Sequence, residues 1–200
     1  MEQDLAAHTL AALQHLPAGR PAALIMRHSQ RQAITGMDNV YTALLTGAGV
    51  EQARKFGQKL AALRPLGRII SSPVSRCVDT AVAIAAGAGS PSLVRVDDRL
   101  SHFLMEQVWD GLPEIAQTSP LPPQVSILLG LVLDHRQSDG ALDLFVTHDS
   151  VVGALAGFLT GLPVEGSAWP QFLEGMYLWK DGDRHICAWW RGMTVSFDAD

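Results

Sequence analysis

The chain carries clusters of basic and nucleophilic side chains at three places, each directly after a short, mainly apolar segment. The first cluster is RHSQR at residues 27–31, the second is SSPVSR at residues 71–76, and the third is THD at residues 147–149. Guanidinium groups are rigid forks of N–H donors that suit an oxyanion. An imidazole acts as a nucleophile or general base near neutral pH. The combination predicts an anion site with a reactive histidine, and phosphate is the favoured anion.

These clusters meet only if the segments before them are neighbouring strands. Short apolar segments alternate with segments of helical periodicity over the first 160 residues. The predicted strands are residues 22–26, 68–71, 92–96 and 142–147. The predicted helices are residues 2–16, 49–63, 73–87, 124–137 and 149–160. This alternation predicts an α/β fold, a three-layer αβα sandwich with a mostly parallel central sheet. Ligands of such sheets bind at the carboxyl ends of the strands, where the three clusters lie.

The remaining segments complete a single predicted domain that spans residues 1–200. Residues 97–123 contain four prolines and predict a small lid inserted over the sheet. Residues 175–197 contain the turn pair Asp181-Gly182 and predict a C-terminal β-hairpin.

The composition excludes several classes of protein. Of the 200 residues, 48% are hydrophobic and 18% are charged, which is enough to build a core and excludes general disorder. The formal net charge of -5 argues against nucleic acid as a partner. No apolar run approaches the ~20 residues of a transmembrane helix, and the first ten residues do not resemble a secretion signal. We therefore expect no membrane partner, a cytoplasmic location, and free thiols at Cys77 and Cys187.

Several signatures of one known family occur in this chain in the family's order. The matching positions are Arg27, His28, Arg31, Leu45, Thr46, Gly49, Gln52, Ser72, Pro73, Arg76, Thr80, Ala81, His148 and Asp149. In these motifs the chain resembles the histidine phosphatase superfamily, which includes phosphoglycerate mutases and histidine acid phosphatases. The motifs are closest to the acid phosphatase branch. The chain departs from the family at Ser29, where a glycine is usual, and from that branch at Gln32, where a proline is usual. The resemblance implies a phosphoglycerate mutase-like fold.

The resemblance also implies a phosphatase that works through a phosphohistidine intermediate. His28 attacks phosphorus, and water then hydrolyses the phosphoenzyme. The groups that bind and neutralise the phosphate oxygens are Arg27, Arg31, Arg76 and His148. Because these side chains supply the positive charge, neither a metal nor another cofactor is implied.

The proton donor to the leaving group is expected to be Asp149, with Glu106 as the alternative. Mutases of the superfamily carry a glutamate at the position where this chain has His102. The Ser29 hydroxyl is expected to contact the substrate, and Trp109 in the lid segment is expected to line the substrate site. Because the donor must be protonated, an acidic to neutral pH optimum is implied.

The favoured function is the hydrolysis of a small phosphomonoester, such as a sugar phosphate. Two alternatives stay open: a phosphomutase of the same superfamily, and a weakly active module that binds phosphate or a phosphoprotein.

The glycines of residues 47–49 favour a helix entry over a dinucleotide site, because Gln52 replaces the third glycine of that motif. A monomer or a homodimer fits the composition.

Overall fold

The computed structural model describes residues 7–90, 94–101, 122–134, 140–162, 166–182 and 185–198. The strands in these ranges are β1 (Ala22–Arg27), β2 (Leu66–Ser71), β3 (Arg95–Val96), β4 (Leu142–Thr147), β5 (Gly175–Lys180), β6 (His185–Trp190) and β7 (Met193–Asp198). The α-helices are α1 (Ala7–Ala11), α2 (Gly47–Leu63), α3 (Ser75–Gly87), α4 (Pro123–Val132) and α5 (Asp149–Thr160). Short 3₁₀ turns cover Ala12–His15, Met37–Asn39, Asp98–Leu100 and Gly166–Ala168.

The strands form one sheet in the order β3-β2-β4-β1-β5-β6-β7. The pairs β3-β2, β2-β4 and β4-β1 are parallel, and β5, β6 and β7 are added in antiparallel pairs. The centre of the sheet is therefore parallel, and β1, β2 and β4 end at the same edge. This arrangement confirms the predicted α/β fold.

Both faces of the central strands are covered, as wholly apolar strands require. Ala23 and Ile25 of β1 belong to a core cluster with side chains of α4 and α5. Leu24 and Met26 point to the other face and belong to a cluster with α2 and α3. Alternate residues of one strand thus contact helices on opposite sides, which makes three layers.

Local sequence explains the helix that follows the first cluster. The Thr46 hydroxyl accepts a hydrogen bond from the Gly49 amide at 2.9 Å and caps the N-terminus of α2. α2 ends at Leu63, ahead of Pro65. It packs closely against α3 because Gly57 has no Cβ; a methyl group there would lie 2.1 Å from a backbone oxygen of Ile84.

The C-terminal region contains the expected hairpin and one strand more. β5 and β6 pair antiparallel on either side of Asp181-Gly182, as the sequence predicts, and β7 adds to β6 from Trp190↔Met193 to His185↔Asp198. The extra turn is Arg191-Gly192, whose residues both have positive φ. Arginine is not a typical residue at such a position, so the residue types there do not predict a turn.

Other predictions differ in their limits. The helix expected over residues 2–16 is described from Ala7 and becomes a 3₁₀ turn after Ala11. Residues 102–121 hold most of the expected lid, with His102, Glu106 and Trp109, and they lie outside the described residues. Cys77 and Cys187 are free thiols. No helix in the described ranges has both the length and the apolar content that a membrane span needs.

Candidate active site

The three basic clusters lie together at the carboxyl edge of the parallel strands. Backbone bonds fix the chain just past the strand ends: the His28 amide donates to the Thr147 carbonyl at 2.9 Å, and the Ser72 amide donates to the Val146 carbonyl at 2.9 Å. The two histidines of these clusters are buried, with His28 1% and His148 2% exposed. The site is therefore held by the strands themselves.

His28 presents an unprotonated nitrogen. Its Nδ1 lies 2.7 Å from the Ser29 carbonyl, which can only accept, so Nδ1 carries the hydrogen. Nε2 accepts a hydrogen bond from Nε of Arg76 at 3.1 Å. Burial, together with the charges of Arg76 and Arg27, lowers the pKa of His28 to about 3. The lone pair on Nε2 is consequently available at neutral pH.

Arg76 connects the two histidines. Besides its bond to His28, one terminal nitrogen lies 3.3 Å from Nδ1 of His148, and the other donates to the Val40 carbonyl at 2.8 Å. A guanidinium has no acceptor, so Nδ1 of His148 must accept and the ring is neutral. Nε2 of His148 then donates to the Ser72 hydroxyl at 3.0 Å.

Arg27 is the second buried guanidinium. One terminal nitrogen forms a 2.8 Å ion pair with Asp149, and the other donates to the Pro170 carbonyl at 2.6 Å. Its Cζ atom lies 4.1 Å from the centre of the Phe172 ring. Its buried Nε has no hydrogen-bond partner within the described part of the chain. Burial lowers the pKa of both Arg27 and Arg76, because two cations share one poorly solvated site.

The Asp149 carboxyl is ionised at neutral pH. Burial raises the pKa of its carboxyl, but the charge of Arg27 and a hydrogen bond from Trp169 outweigh burial, so the pKa is lowered overall. Asp149 is also the first residue of α5, where the helix dipole favours an anion. It can act as a proton donor only after an arriving anion raises its pKa.

Arg31 and Ser29 occupy the rim and the floor of the site. Arg31 is half-buried and donates to the Gln32 carbonyl at 2.9 Å, and its charge contributes to lowering the pKa of Arg27 and Arg76. The Ser29 hydroxyl donates to the Gly49 carbonyl at 2.7 Å, so its hydrogen is not available to a phosphate oxygen. Its contact with substrate stays a prediction.

Serine at position 29 causes no backbone strain. The described non-glycine residues with positive φ are Leu173 and Arg191, so Ser29 lies outside the left-handed region. The glycine that this corner needs is Gly49, since a Cβ there would lie 2.1 Å from the Gln30 carbonyl oxygen.

The nearby thiol is not a competing nucleophile. Cys77 Sγ donates to the Thr147 carbonyl at 3.4 Å, and burial raises the pKa of the thiol to about 12. Among the described residues no group of three or more His, Cys, Asp or Glu side chains is arranged to hold a metal ion.

Residues 23–129, more than half of the chain, match the histidine phosphatase superfamily (branch 1). The chain belongs to this superfamily. The match confirms the predicted family, and the protein is a phosphoric monoester hydrolase. The prediction that its motifs are closest to the acid phosphatase branch stays a prediction.

Individual relatives agree with this assignment. The phosphatase is 29% identical over 184 residues to a glucosyl-3-phosphoglycerate phosphatase of Mycolicibacterium vanbaalenii, covering 76% of this chain and 79% of the other. Its fold is similar to Bacillus stearothermophilus YhfR, with a TM-score of 0.55 and 19% identity over 81% of this chain and 92% of the other. It is also similar to the protein histidine phosphatase SixA complexed with tungstate, with a TM-score of 0.52 and 20% identity over 88% and 94%.

Several residues of the phosphatase site were missed from sequence. Pro170 and Phe172 contact Arg27, and they come from the segment before β5 rather than from a parallel strand end. Glu174 is not among the predicted site residues, but its carboxylate is buried and paired with Arg191. An aromatic or charged residue next to a strand is only a weak indication of an active-site residue. Glu106 and Trp109 belong to the residues that the structure does not describe.

Proposed function

We propose that the protein is a metal-independent phosphatase that hydrolyses a small phosphomonoester through a phosphohistidine at Nε2 of His28. The observation that carries the proposal is the state of this nitrogen. It is unprotonated, its pKa is lowered to about 3, and its hydrogen bond comes from the guanidinium of Arg76. A phosphate group that binds to Arg76 would take over the hydrogen bond that Arg76 donates to Nε2. The lone pair of Nε2 would then be free next to phosphorus.

In the first step the lone pair of Nε2 forms a bond to phosphorus while the ester P–O bond breaks. The electron pair of that bond leaves with the alkoxide, which takes a proton. The ring keeps the hydrogen on Nδ1 and becomes positively charged. The Ser29 carbonyl, 2.7 Å from Nδ1, stabilises that charge. In the second step water attacks phosphorus and the N–P bond breaks, which restores the neutral imidazole and releases inorganic phosphate.

The basic groups supply the binding energy for the phosphate. Arg27 and Arg76 are both buried, and no carboxylate of the described residues pairs with Arg76. Removing such cations from water is costly, and an incoming dianion offsets this cost. The neutral His148 accepts from Arg76 and donates to Ser72, which orients the guanidinium. These groups stabilise the equatorial oxygens of a loose transition state.

We assign the proton transfers to Asp149. The substrate dianion competes for Arg27 and raises the pKa of the Asp149 carboxyl, which can then carry a proton to the alkoxide. Once the alcohol has left, the carboxylate accepts a proton from the attacking water. Glu106 is the alternative donor.

The substrate class follows from the relative. A glucosyl-3-phosphoglycerate phosphatase is 29% identical to this chain, which supports a small phosphorylated sugar or sugar acid as the substrate. Cytoplasmic location and a monomeric or homodimeric state stay predictions.

The test is a screen of metabolite phosphates for release of inorganic phosphate by the wild type and by H28A. We expect at least one sugar phosphate to be hydrolysed, and H28A to retain less than about a thousandth of that rate. Equal rates in both proteins would refute the mechanism. Transfer that needs a diphosphorylated primer would indicate a mutase. Phosphate binding without turnover would indicate a binding module.

A further inference from the structure

Arg191 occupies a strained backbone position. It is the first residue of the two-residue turn between β6 and β7, with a φ of 46°, and Gly192 follows with a φ of 85°. Such turns favour Asn-Gly, because a long side chain disfavours the left-handed region. Strain of this kind persists where the surrounding contacts over-determine it. The contacts of the Arg191 side chain therefore indicate what holds it there.

These contacts are concentrated on residues 168–174, which we call the 168–174 loop. Nε and one terminal nitrogen of Arg191 bind the Glu174 carboxylate at 2.6 and 2.8 Å. The terminal nitrogens also donate to the Ala168 carbonyl at 3.0 Å and the Trp169 carbonyl at 3.2 Å. Glu174 in turn accepts from the Gln171 amide at 2.7 Å. The ion pair thus joins both ends of the loop.

The same loop is one wall of the active site. Its Pro170 carbonyl accepts from Arg27, and its Phe172 ring packs on Arg27 and lies 5.8 Å from the His28 ring. The side chain of Trp169 acts on Asp149 and helps to lower the pKa of its carboxyl. The other non-glycine residue with positive φ among the described residues is Leu173, inside this loop.

We propose that Arg191 and Glu174 are positioning residues of the phosphatase: their ion pair holds the 168–174 loop in the shape that aims Arg27 at phosphate and fixes Trp169 on Asp149. This inference rests on the proposed function. Neither residue touches the reacting atoms, and both act through the loop.

Breaking the ion pair has two consequences. Arg27 gains rotational freedom, so phosphate binding and kcat/KM both fall. The interaction of Trp169 with Asp149 weakens, so the pKa of the Asp149 carboxyl rises. Among the described residues, the charged or titratable groups that act on Asp149 include Arg27, His28, Arg76 and Cys77.

The experiment compares R191N, R191K and E174Q with the wild type. Asparagine suits the turn, so R191N removes the side chain and keeps the backbone shape. Lysine keeps the charge without the bidentate geometry. The matched control is R54Q, which removes the bidentate pair of Arg54 with Glu51 on the exposed face of α2. Each variant is checked for folding by thermal melting.

Three experiments are made on each variant: steady-state kinetics on an aryl phosphate for kcat and KM, calorimetry for the Kd of inorganic phosphate, and a pH titration of the Trp169 indole NMR signal. We expect R191N to lose about 10- to 100-fold in kcat/KM and in phosphate affinity. The Trp169 titration midpoint moves upward, R191K recovers part of the loss, and R54Q matches the wild type. R191N/E174Q loses no more than R191N, because both changes remove one interaction.

Variants that melt at lower temperature but keep wild-type kinetics, phosphate Kd and Trp169 titration would overturn the inference, since the pair would then be merely structural. Failure of the proposed function is distinguishable, because it shows as a wild type that releases no phosphate from any substrate. Phosphate binding and the Trp169 signal still test the positioning role in that case.

Discussion

Replacing Arg76 with lysine separates the charge of this group from its shape. The guanidinium donates to Nε2 of His28 at 3.1 Å, to Nδ1 of His148 at 3.3 Å and to the Val40 carbonyl at 2.8 Å. Because the residue is only 6% exposed, water cannot readily replace these bonds. A lysine ammonium keeps the charge but is a compact point donor, so it cannot reach all three acceptors at once.

The expected magnitude follows from the bonds that lysine cannot make. A hydrogen bond to a charged group contributes about 1.5–3 kcal/mol, so the loss of two amounts to roughly 3–6 kcal/mol. In the transition state the N–H groups that face the histidines turn to phosphate oxygens, so their loss is felt there. At about 1.4 kcal/mol per factor of ten, we expect kcat/KM of R76K to fall by roughly 10²- to 10⁴-fold.

The assay is steady-state release of phosphate from an aryl phosphate, with the Kd of inorganic phosphate measured alongside. R68K is the matched control, because Nε and one terminal nitrogen of Arg68 both donate to Oδ2 of Asp143, at 2.9 and 2.7 Å, near the amino ends of β2 and β4, away from the site. R68K should lose stability and keep its kinetic constants. If R76K retains kcat/KM within about threefold of the wild type, the charge at position 76 is sufficient, and the argument from the shape of the guanidinium is wrong.

Three further predictions concern single groups of the site. D149N should lose ~10²–10⁴-fold in kcat on an alkyl phosphate but far less on an activated aryl phosphate, since only a poor leaving group needs a proton; equal losses would transfer the role to Glu106 or water. The pKa of His28 is about 3 in the folded protein and 6.5 in the unfolded chain, so between these pH values the unfolded chain binds more protons. The melting temperature should therefore fall as pH drops from about 6.5 toward about 3. In H28Q that slope should be smaller, and an unchanged slope would contradict the lowered pKa. S29A should cost about 1 kcal/mol of stability through the lost bond to Gly49, with kcat/KM nearly unchanged; a tenfold kinetic loss would place the hydroxyl on the substrate.

The centre of the site could be predicted from sequence because each part has a local signal. Apolar runs mark the strands, and the strand-end rule for parallel sheets brings residues 27–31, 71–76 and 147–149 to one edge. The third strand of the C-terminal region also had a signal: Met193–Asp198 alternates apolar and polar residues, as a half-buried strand does. The strand was not predicted, because the turn before it, at Arg191, lacks the residues that usually mark a hairpin turn.

The 168–174 loop could not be predicted, because its shape depends on contacts between residues that are distant in the chain. Phe172 packs on Arg27, which is 145 positions earlier, and Glu174 is held by an arginine from the turn after β6. Neither contact has a period or a spacing that a single sequence displays. Likewise, the ionisation of Asp149 depends on partners that only the fold brings to it.

The net charge of the assembled site favours a doubly negative ligand. Arg27, Arg31 and Arg76 carry three positive charges, and ionised Asp149 carries one negative charge. His28 adds none because its pKa is lowered to about 3. His148 adds none because its Nδ1 accepts from a guanidinium. Among the described residues the net charge of the site is therefore +2, which balances a phosphomonoester dianion. When that dianion binds Arg27 and Arg76, Asp149 loses part of the attraction that keeps it ionised. In the proposed mechanism, binding of the substrate therefore raises the pKa of the Asp149 carboxyl so that it can protonate the leaving group, and release of phosphate restores the ion pair with Arg27.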